Sequence, residues 1–186
     1  MKREGFSMLK SIVTDADFFG GEPKLISDIS RYGSRGIVLN GENLAGMILM
    51  SANGFYKLPG GGIELGERES DAFVREVTEE MGCGCNIIAP LGTVEEHKSR
   101  SNFCHLSYAF IGRIEGECKK TQLGESEKLA GLSISWMSLK DAAAVMDKAL
   151  EMCKDYSMRF MIKRDKIIID YALEQIEAGE ISIDNQ

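Results

Sequence analysis

The sequence predicts an α/β (α+β) protein in which helices pack on a mixed β-sheet. Short β-prone runs, interrupted by one short helix, fill the first two-thirds of the chain, and two longer helical stretches follow. An order of strands, helix, strands and helices is typical of a mixed sheet with helices on its faces. With 186 residues, 44% of them apolar, the chain can bury one ordinary core.

We expect one domain over residues 1–186, because no linker, repeat or low-complexity segment divides the chain. Its expected parts are an N-terminal extension over about residues 1–30, a core over about 31–150 and a C-terminal helical extension over about 151–186. In the first part, a Gly-Gly-Glu-Pro turn precedes a short predicted strand at 25–29.

The core is predicted to begin as a β-meander. From Arg35 onward, β-prone runs alternate with turn residues at 41–43 and 52–54. Three further strands are predicted at 86–97, 102–114 and 132–138. Residues 115–130 are polar and interrupted by glycine, which predicts a loop.

Three helices are predicted from their periodicity and end signals. The first covers residues 69–81 and is stopped by Gly82. Ser138, followed three residues later by Asp141, is a capping pair ahead of an apolar helix. The last helix, at 155–177, has apolar spacing suited to packing on the domain or on a second subunit, so a homodimer is a candidate assembly.

The charge and the apolar pattern argue against two classes of partner. A formal net charge of −7, from 22 basic and 29 acidic residues, argues against a general nucleic-acid binder, which carries a basic stripe. It is compatible with a small phosphorylated ligand, because a bound cation inverts the local electrostatics. No signal peptide or run of about 18 apolar residues is present, so we expect a cytoplasmic protein with no membrane partner.

The five cysteines are expected to be reduced thiols with mostly structural roles. Their number is odd, and they form no paired CxxC framework. Cys83 and Cys85 could together hold a soft metal, but the sequence has no matching second pair.

One face of the predicted helix at 69–81 carries three carboxylates. At about 100° per residue, Glu76, Glu79 and Glu80 fall within an arc of about 100°, and apolar residues occupy the adjoining arc. Like charges at this spacing destabilise a helix by about 0.2–0.5 kcal/mol per pair. Mg²⁺ would relieve the repulsion, because it binds carboxylate oxygens and completes its shell with substrate phosphates. The sequence lacks both the EF-hand spacing and the Glu-x-x-His pair of di-iron sites.

A glycine triplet lies upstream of this helix. Gly60, Gly61 and Gly62 follow a predicted strand that ends at Leu58 and Pro59. Three glycines let the backbone approach a ligand closely, and successive amides there could hold an anion. A glycine triplet alone is more typical of a plain loop, so the evidence lies in its fixed distance from the acids.

The glycines and the acids form one spaced pattern over residues 61–83. It runs Gly61, five residues, Glu67, seven residues, Arg75-Glu76-Val77, one residue, Glu79-Glu80, one residue and Gly82. This pattern resembles the signature of the Nudix hydrolase family at every defined position except the last. That position carries Cys83 where a larger aliphatic residue is usual, which we interpret as a packing variation.

The resemblance implies a mixed sheet sandwiched between helices, with the pattern forming a loop, a helix and a loop. It also implies hydrolysis of a nucleoside diphosphate linked to another group, with Mg²⁺ or Mn²⁺ as cofactor. Nucleoside triphosphates, oxidised nucleotides and ADP-ribose-like compounds are the candidate substrates. The alternative is a non-catalytic Nudix-like domain that senses a nucleotide or a sugar nucleotide.

The resemblance also assigns roles to individual residues. The implied metal ligands are Glu76, Glu80, Glu79 and Glu67, with the backbone oxygen of Gly61 near the metal. Arg75 would orient the glutamates by pairing with them. The general base would be a glutamate of the pattern, such as Glu76 or Glu79, or an acid beyond it. Glu125 and Glu127 are the candidates beyond it, with Glu95 and Glu96 left open.

Substrate-binding residues are less well defined by the sequence. Backbone groups of Gly60, Gly61 and Gly62 could approach a phosphate, and Arg35 could contact a phosphate or a base, although an exposed cation is the default. Aromatic residues that could stack on a base, although core positions are the default, are Tyr32, Phe55, Tyr56, Phe103, Tyr108 and Phe110. His97 and His105 are expected to be solvated, and we assign them no catalytic role.

Overall fold

Eight strands and four helices are present in the part of the chain that the structure, a computed structural model, describes: residues 7–119, 121, 125 and 131–183. The strands are β1 (Leu9–Thr14), β2 (Arg31–Leu39), β3 (Ala45–Met50), β4 (Phe55–Lys57), β5 (Gly60–Gly62), β6 (Gly84–Lys98), β7 (Phe103–Glu115) and β8 (Leu132–Met137). The helices are α1 (Ala16–Phe19), α2 (Glu69–Met81), α3 (Leu139–Met152) and α4 (Tyr156–Glu177).

All eight strands belong to one mixed sheet, which confirms the predicted fold class. Its main path runs β1-β6-β7-β2-β3-β4, while β5 pairs with β2 and β8 pairs with β3. The pairs β1/β6 and β2/β7 are parallel, and the other pairs are antiparallel.

Helices cover both faces of the sheet. Along β2, Ile37 and Leu39 pack into the core beneath α3 and α4, whereas Val38 packs into a smaller core beneath α2. This alternation follows from the two-residue period of a strand. We call the two sides the α2 face and the α4 face. The sheet between two helical layers that the resemblance implied is confirmed.

The helix boundaries follow the predicted signals. Helix α2 covers residues 69–81 as predicted, and it ends at Gly82, whose φ of 72° is left-handed and favours glycine. Ser138 caps α3 by accepting a hydrogen bond from the backbone N–H of Asp141 at 3.1 Å. No helix within the described ranges is both long enough and apolar enough to cross a membrane.

Helix α4 packs on the sheet of its own chain, as the first of the two alternatives predicted. Phe160, Ile168 and Ile169 are fully buried in the core of the α4 face. Asp155 begins the helix by accepting a hydrogen bond from the backbone N–H of Met158 at 2.8 Å. The homodimer stays a prediction.

The N-terminal region differs from its prediction. Residues 25–29 form no strand, whereas Leu9–Thr14 form β1, which pairs in parallel with β6 about eighty residues away. Strand pairing depends on such distant partners more than on local propensity. The predicted division at about residues 30 and 150 stays a prediction, and β1 shows that part of the expected extension joins the sheet.

The prediction of reduced thiols is wrong for two cysteines, because Cys83 and Cys118 form a disulfide. Two backbone contacts explain how residues so far apart meet. Lys119 N–H donates to the carbonyl of Gly82 at 2.7 Å, and Gly82 has no side chain to prevent this approach. Cys85, Cys104 and Cys153 are free and buried. Burial raises the pKa of the Cys85 thiol to about 12, so this thiol is unreactive.

Candidate active site

The glycine triplet and α2 meet on the α2 face. The triplet is not the predicted loop but the short strand β5, which pairs with β2. At Gly61, a Cβ atom would lie 2.4 Å from both carboxylate oxygens of Glu76, so only glycine permits this approach. The backbone N–H of Gly60 donates to Glu80 Oε2 at 2.8 Å. The fixed spacing in the sequence therefore corresponds to direct contact in the fold.

Arg75 holds three of the four acids of the pattern together. Its Nε donates to Glu67 Oε1 at 2.8 Å, and its Nη2 donates to Glu67 Oε2 at 3.0 Å. Its Nη1 lies 2.9 Å from Glu76 Oε1 and 3.3 Å from Glu79 Oε2. A further bond from Nη2 reaches the carbonyl of Gly62 at 2.8 Å. One guanidinium thus fixes three carboxylates and the glycine strand.

Glu80 has a partner that the sequence analysis missed. Lys57, the last residue of β4, forms an ion pair with Glu80 Oε1, and its Nζ also lies 3.4 Å from the carbonyl of Gly60. The only signal for this residue in the sequence was its position three residues before the glycine triplet. Glu80 is fully buried at its carboxylate.

The site carries more negative than positive charge. The carboxylates of Glu67, Glu76, Glu79 and Glu80 lie near the two cations Arg75 and Lys57. Burial raises the pKa of Glu76, Arg75 opposes that rise, and the charges of Glu80 and Glu79 add to it. The hydrogen bonds from Arg75 lower the pKa of Glu67. Carboxylate oxygens with unrelieved repulsion suit a hard divalent cation, so these residues fit Mg²⁺ or Mn²⁺.

A cleft of about 520 Å³ opens beside the carboxylates. Its wall includes Arg31, Tyr32, Gly62 and Glu76. The ring of Tyr32 is about half exposed there, which makes it the predicted aromatic residue best placed to stack on a base. Arg31 was not among the residues predicted from the sequence. It forms no ion pair with any residue the structure describes. Its Nη2 lies 3.0 Å from where a Cβ of Gly62 would be.

The remaining predicted residues lie elsewhere. Arg35 is buried rather than an exposed cation, and it donates from Nε to Ser107 Oγ at 3.2 Å. Burial, with the nearby charge of Arg164, lowers the pKa of Arg35 to about 10. Glu125 is exposed, and Glu127 lies outside the described residues. The aromatic residues that pack on the two cores are Phe55, Tyr56, Tyr108 and Phe110, and Phe103 stacks edge-on against His105.

A second group of charges lies buried on the α4 face. Arg164 Nη1 donates to Glu96 Oε2 at 2.9 Å, and Arg164 Nε donates to Asp165 Oδ1 at 2.7 Å. Nδ1 of His105 lies 3.3 Å from Glu96 Oε2. Burial alone would raise the pKa of Glu96, but Arg164, His105 and Lys98 together lower it well below its usual value. Glu96 is therefore held in ion pairs rather than free to act as a base.

The expectation that both histidines are solvated is wrong. His105 and His97 are both buried, because the β6/β7 hairpin packs them against other elements. Glu95, His97 and Cys104 place three potential ligand atoms within 4.8 Å of one another. The backbone N–H of Ile26 donates to His97 Nδ1 at 3.0 Å, so Nε2 carries the proton and donates to Glu95 Oε2 at 2.9 Å. These bonds account for the group without an ion.

Known proteins share part of this sequence and the fold of the chain. The chain is similar to the putative nudix hydrolase 1 of Caenorhabditis elegans, with 33% identity over 94 residues. That match covers 50% of this chain and 23% of the relative, so the chain spans about a quarter of the relative's length.

Solved structures show the same fold. The NUDIX hydrolase from Nitrosomonas europaea has a TM-score of 0.57 and 17% identity, over 81% of this chain and 90% of that one. The E. coli ORF135 protein has a TM-score of 0.59 and 15% identity, over 83% and 96%. The MutT protein from Methanosarcina mazei Go1 has a TM-score of 0.51 and 19% identity, over 81% and 99%. The family model described as NUDIX domain matches residues 31–157, well over half of the sequence. This chain therefore belongs to the NUDIX domain family.

Proposed function

We propose that this protein hydrolyses the pyrophosphate linkage of a nucleoside diphosphate derivative, with Mg²⁺ or Mn²⁺ as cofactor. The observation that carries the proposal is the contact between β5 and α2. There the backbone of Gly61 lies against the Glu76 carboxylate, and the N–H of Gly60 binds Glu80. Buried acids that repel one another beside an exposed cleft are what a cation-dependent phosphate site requires.

The proposed ligands are the carboxylates of Glu76, Glu79 and Glu80, with Glu67 and the Gly61 backbone in support. A divalent cation bound there supplies charge neutralisation of the phosphoryl oxygens and lowers the pKa of a bound water. Arg75 keeps the carboxylates in place through the bonds described above. Lys57 competes for Glu80, so we expect it to shift away when the cation is loaded.

Proton removal from the attacking water falls to a glutamate. Glu76 and Glu79 lie in the site itself, where Arg75 binds both carboxylates. Glu125, and Glu127, which lies outside the described residues, stay candidates from the segment between β7 and β8. We propose that the backbone of Gly60, Gly61 and Gly62 orients the phosphates. Arg35 is buried, so we propose that it supports the glycine strand from the interior rather than contacting the substrate at the surface.

The cleft beside the carboxylates would hold the rest of the substrate. Tyr32 offers a half-exposed ring for stacking on a base, and the Arg31 guanidinium is placed to bind an anionic group. These features suit nucleoside triphosphates, oxidised nucleotides and ADP-ribose-like compounds alike. A cytoplasmic location stays a prediction.

The test is turnover of a panel of nucleoside triphosphates, dinucleotides and nucleotide sugars with Mg²⁺ or Mn²⁺. Glu76→Gln and Glu80→Gln should each lower kcat/KM by about 100-fold or more, since losing a ligand should weaken metal binding at least as much as losing an outer-shell partner. Asp71→Asn is the matched control, because Asp71 lies on the same helix and forms its ion pair with Arg68 at the surface.

Absence of turnover across the panel with both metals would contradict the proposal. Calorimetric binding of a panel member without turnover would instead favour the sensing domain named as the alternative.

A further inference from the structure

His105 carries a buried nitrogen that the network on the α4 face does not use. Its side chain is 8% exposed, and Nε2 has no hydrogen-bond partner among the described residues. Nδ1 lies 3.3 Å from Glu96 Oε2, and a carboxylate can only accept, so Nδ1 carries the ring proton. Nε2 is therefore a free acceptor. A buried polar atom without a partner is unfavourable and rare in folded proteins, so it calls for an explanation.

His105 Nε2 faces Gly33, which has no side chain to fill the space in front of it. We call this space the niche. A Cβ at Gly33 would lie 2.6 Å from His105 Nε2, 3.0 Å from Arg35 Nη2 and 3.0 Å from the carbonyl oxygen of Gly61. Three polar atoms from three strands thus converge beside the Cα of Gly33. Arg35 is held there by its bond to Ser107, and it forms no ion pair within the described ranges.

The three atoms have complementary hydrogen-bonding roles. His105 Nε2 and the Gly61 carbonyl accept, whereas Arg35 Nη2 donates. A single water molecule can donate two hydrogen bonds and accept one or two, so it satisfies all three groups at once. Buried waters in proteins make about three such bonds to polar groups that otherwise lack partners.

We propose that this niche binds one water molecule that joins His105 and Arg35 to the Gly61 carbonyl, and that both side chains are positioning residues for the metal site. Gly61 has the Glu76 carboxylate against its Cα and the niche at its carbonyl oxygen. A restraint on that carbonyl therefore fixes where the backbone meets Glu76. The inference rests on the proposed function, in which Glu76 and Gly61 serve the cation.

Two residues of the C-terminal helix α4 help to hold His105 and the glycine strand in place. Arg164 binds the Glu96 carboxylate that orients His105, and Asp165 Oδ2 accepts from the backbone N–H of Leu58 at 2.9 Å. Both residues lie in α4 beyond residue 157, where the match to the family model ends. This chain therefore supports its glycine strand from the opposite face of the sheet.

A crystal structure of the metal-free protein tests the niche without reference to activity. An ordered water should lie within about 3.2 Å of His105 Nε2, Arg35 Nη2 and the Gly61 oxygen. A side chain or nothing at that position would overturn the proposal. Because no metal is needed, this measurement decides the niche even if the proposed hydrolysis fails.

Two variants of His105 separate positioning from packing. In His105→Asn the amide retains a donor at the Nδ1 position for Glu96 but has no atom at the Nε2 position. In His105→Gln the amide reaches the Nε2 position. We expect Mn²⁺ binding, measured by calorimetry, to weaken about tenfold or more in His105→Asn and to stay close to wild type in His105→Gln. The reverse order, or no change in either variant, would overturn the role.

Filling the niche gives an independent check. Gly33→Ala brings a methyl group to within about 3.0 Å of all three polar atoms, which excludes the water, so it should weaken Mn²⁺ binding as His105→Asn does. Gly41→Ala is the matched control, because a Cβ there meets no atom within 4 Å. Equal Mn²⁺ affinity in the two alanine variants would contradict the proposal. A wild-type protein that binds no Mn²⁺ would refute the metal-site role and the proposed function, but not the water niche.

Discussion

Glu76 on the α2 face and Glu96 on the α4 face are both buried glutamates beside an arginine, yet their carboxylates behave in opposite ways. Burial raises the pKa of Glu76, and neighbouring acids add to the rise. For Glu96, Arg164 and its neighbours more than offset burial, so the pKa lies well below its usual value. The two residues differ mainly in their counter-charges, and Glu76, which borders the cleft, is also the more exposed of the two.

The difference separates a structural ion pair from a binding site. Glu96 shares its surroundings with Arg164, Lys98 and His105, so its charge is balanced within the protein. Glu76 shares one guanidinium with Glu67 and Glu79, so its charge is not. A balanced carboxylate stabilises the fold, whereas an unbalanced one makes a binding site for a cation.

The largest expected effect is on the α4 face. Arg164→Met should lower the free energy of unfolding by about 3–5 kcal/mol, because it leaves the Glu96 carboxylate buried without its main partner. Urea unfolding monitored by circular dichroism measures this.

The matched control for that substitution is Arg68→Met, because the ion pair of Arg68 with Asp71 lies at the surface and its loss should leave the free energy of unfolding nearly unchanged. On the other face, Glu76→Gln without metal should be as stable as wild type or more so. Equal losses in Arg164→Met and Glu76→Gln would erase the contrast between the faces.

The second effect concerns the anchoring of α2. The Cys83–Cys118 disulfide ties the end of this helix to the loop after β7, whereas ion pairs hold α4. Dithiothreitol should lower the free energy of unfolding by about 2–4 kcal/mol. Cys118→Ser should already show the lower value and not respond to the reductant. A wild-type protein indifferent to reduction would contradict this disulfide.

The third effect is stabilisation by the cation. Mg²⁺ at about 100 times its Kd should add about 2.7 kcal/mol to the free energy of unfolding. Glu76→Gln and Glu80→Gln should blunt that gain, whereas Asp71→Asn, at a surface position of the same helix, should keep it. A thermal-shift assay with and without EDTA separates the stability of the metal-free protein from the stabilisation by Mg²⁺. An intact gain in Glu80→Gln would place the cation elsewhere.

The smallest effect is on pH dependence in the absence of metal. Glu76 has a raised folded-state pKa, so its destabilising charge develops as pH rises above 4.5 through that pKa. Glu96 has a lowered pKa, so its contribution is present above 4.5 and is lost as pH falls below it. Urea unfolding between about pH 3 and pH 7 should show that the free energy of unfolding of Glu76→Gln, relative to wild type, increases with pH. A constant difference would contradict the raised pKa.

Local signals made much of the fold and the α2 face predictable. The 3.6-residue period together with Gly82 defined α2 to its end residues, and Ser138 with Asp141 marked the start of α3. The contact of Gly61 with Glu76 followed from a fixed spacing of fifteen residues, which a family resemblance could interpret.

The buried charges on the α4 face could not be predicted from local signals, because the residues that carry them are distant in sequence. These groups come from three strands and a helix, and each is a residue type that is usually exposed to solvent. They are Arg35, Glu96, His105 and Arg164. Cys83 and Cys118 are separated by 35 residues and follow no motif. Only tertiary pairing brings such residues together, so their burial could not be deduced from local pattern.

The bond from Asp165 to the backbone of Leu58 bears on how the chain should be shortened. A protein ending at residue 157, where the family match stops, would lose α4 and with it the acceptor for Leu58 and the partner of Glu96. It would also expose the apolar residues that Phe160 and Ile168 now cover. The cooperative folding unit therefore extends about twenty residues past the boundary that sequence similarity suggests.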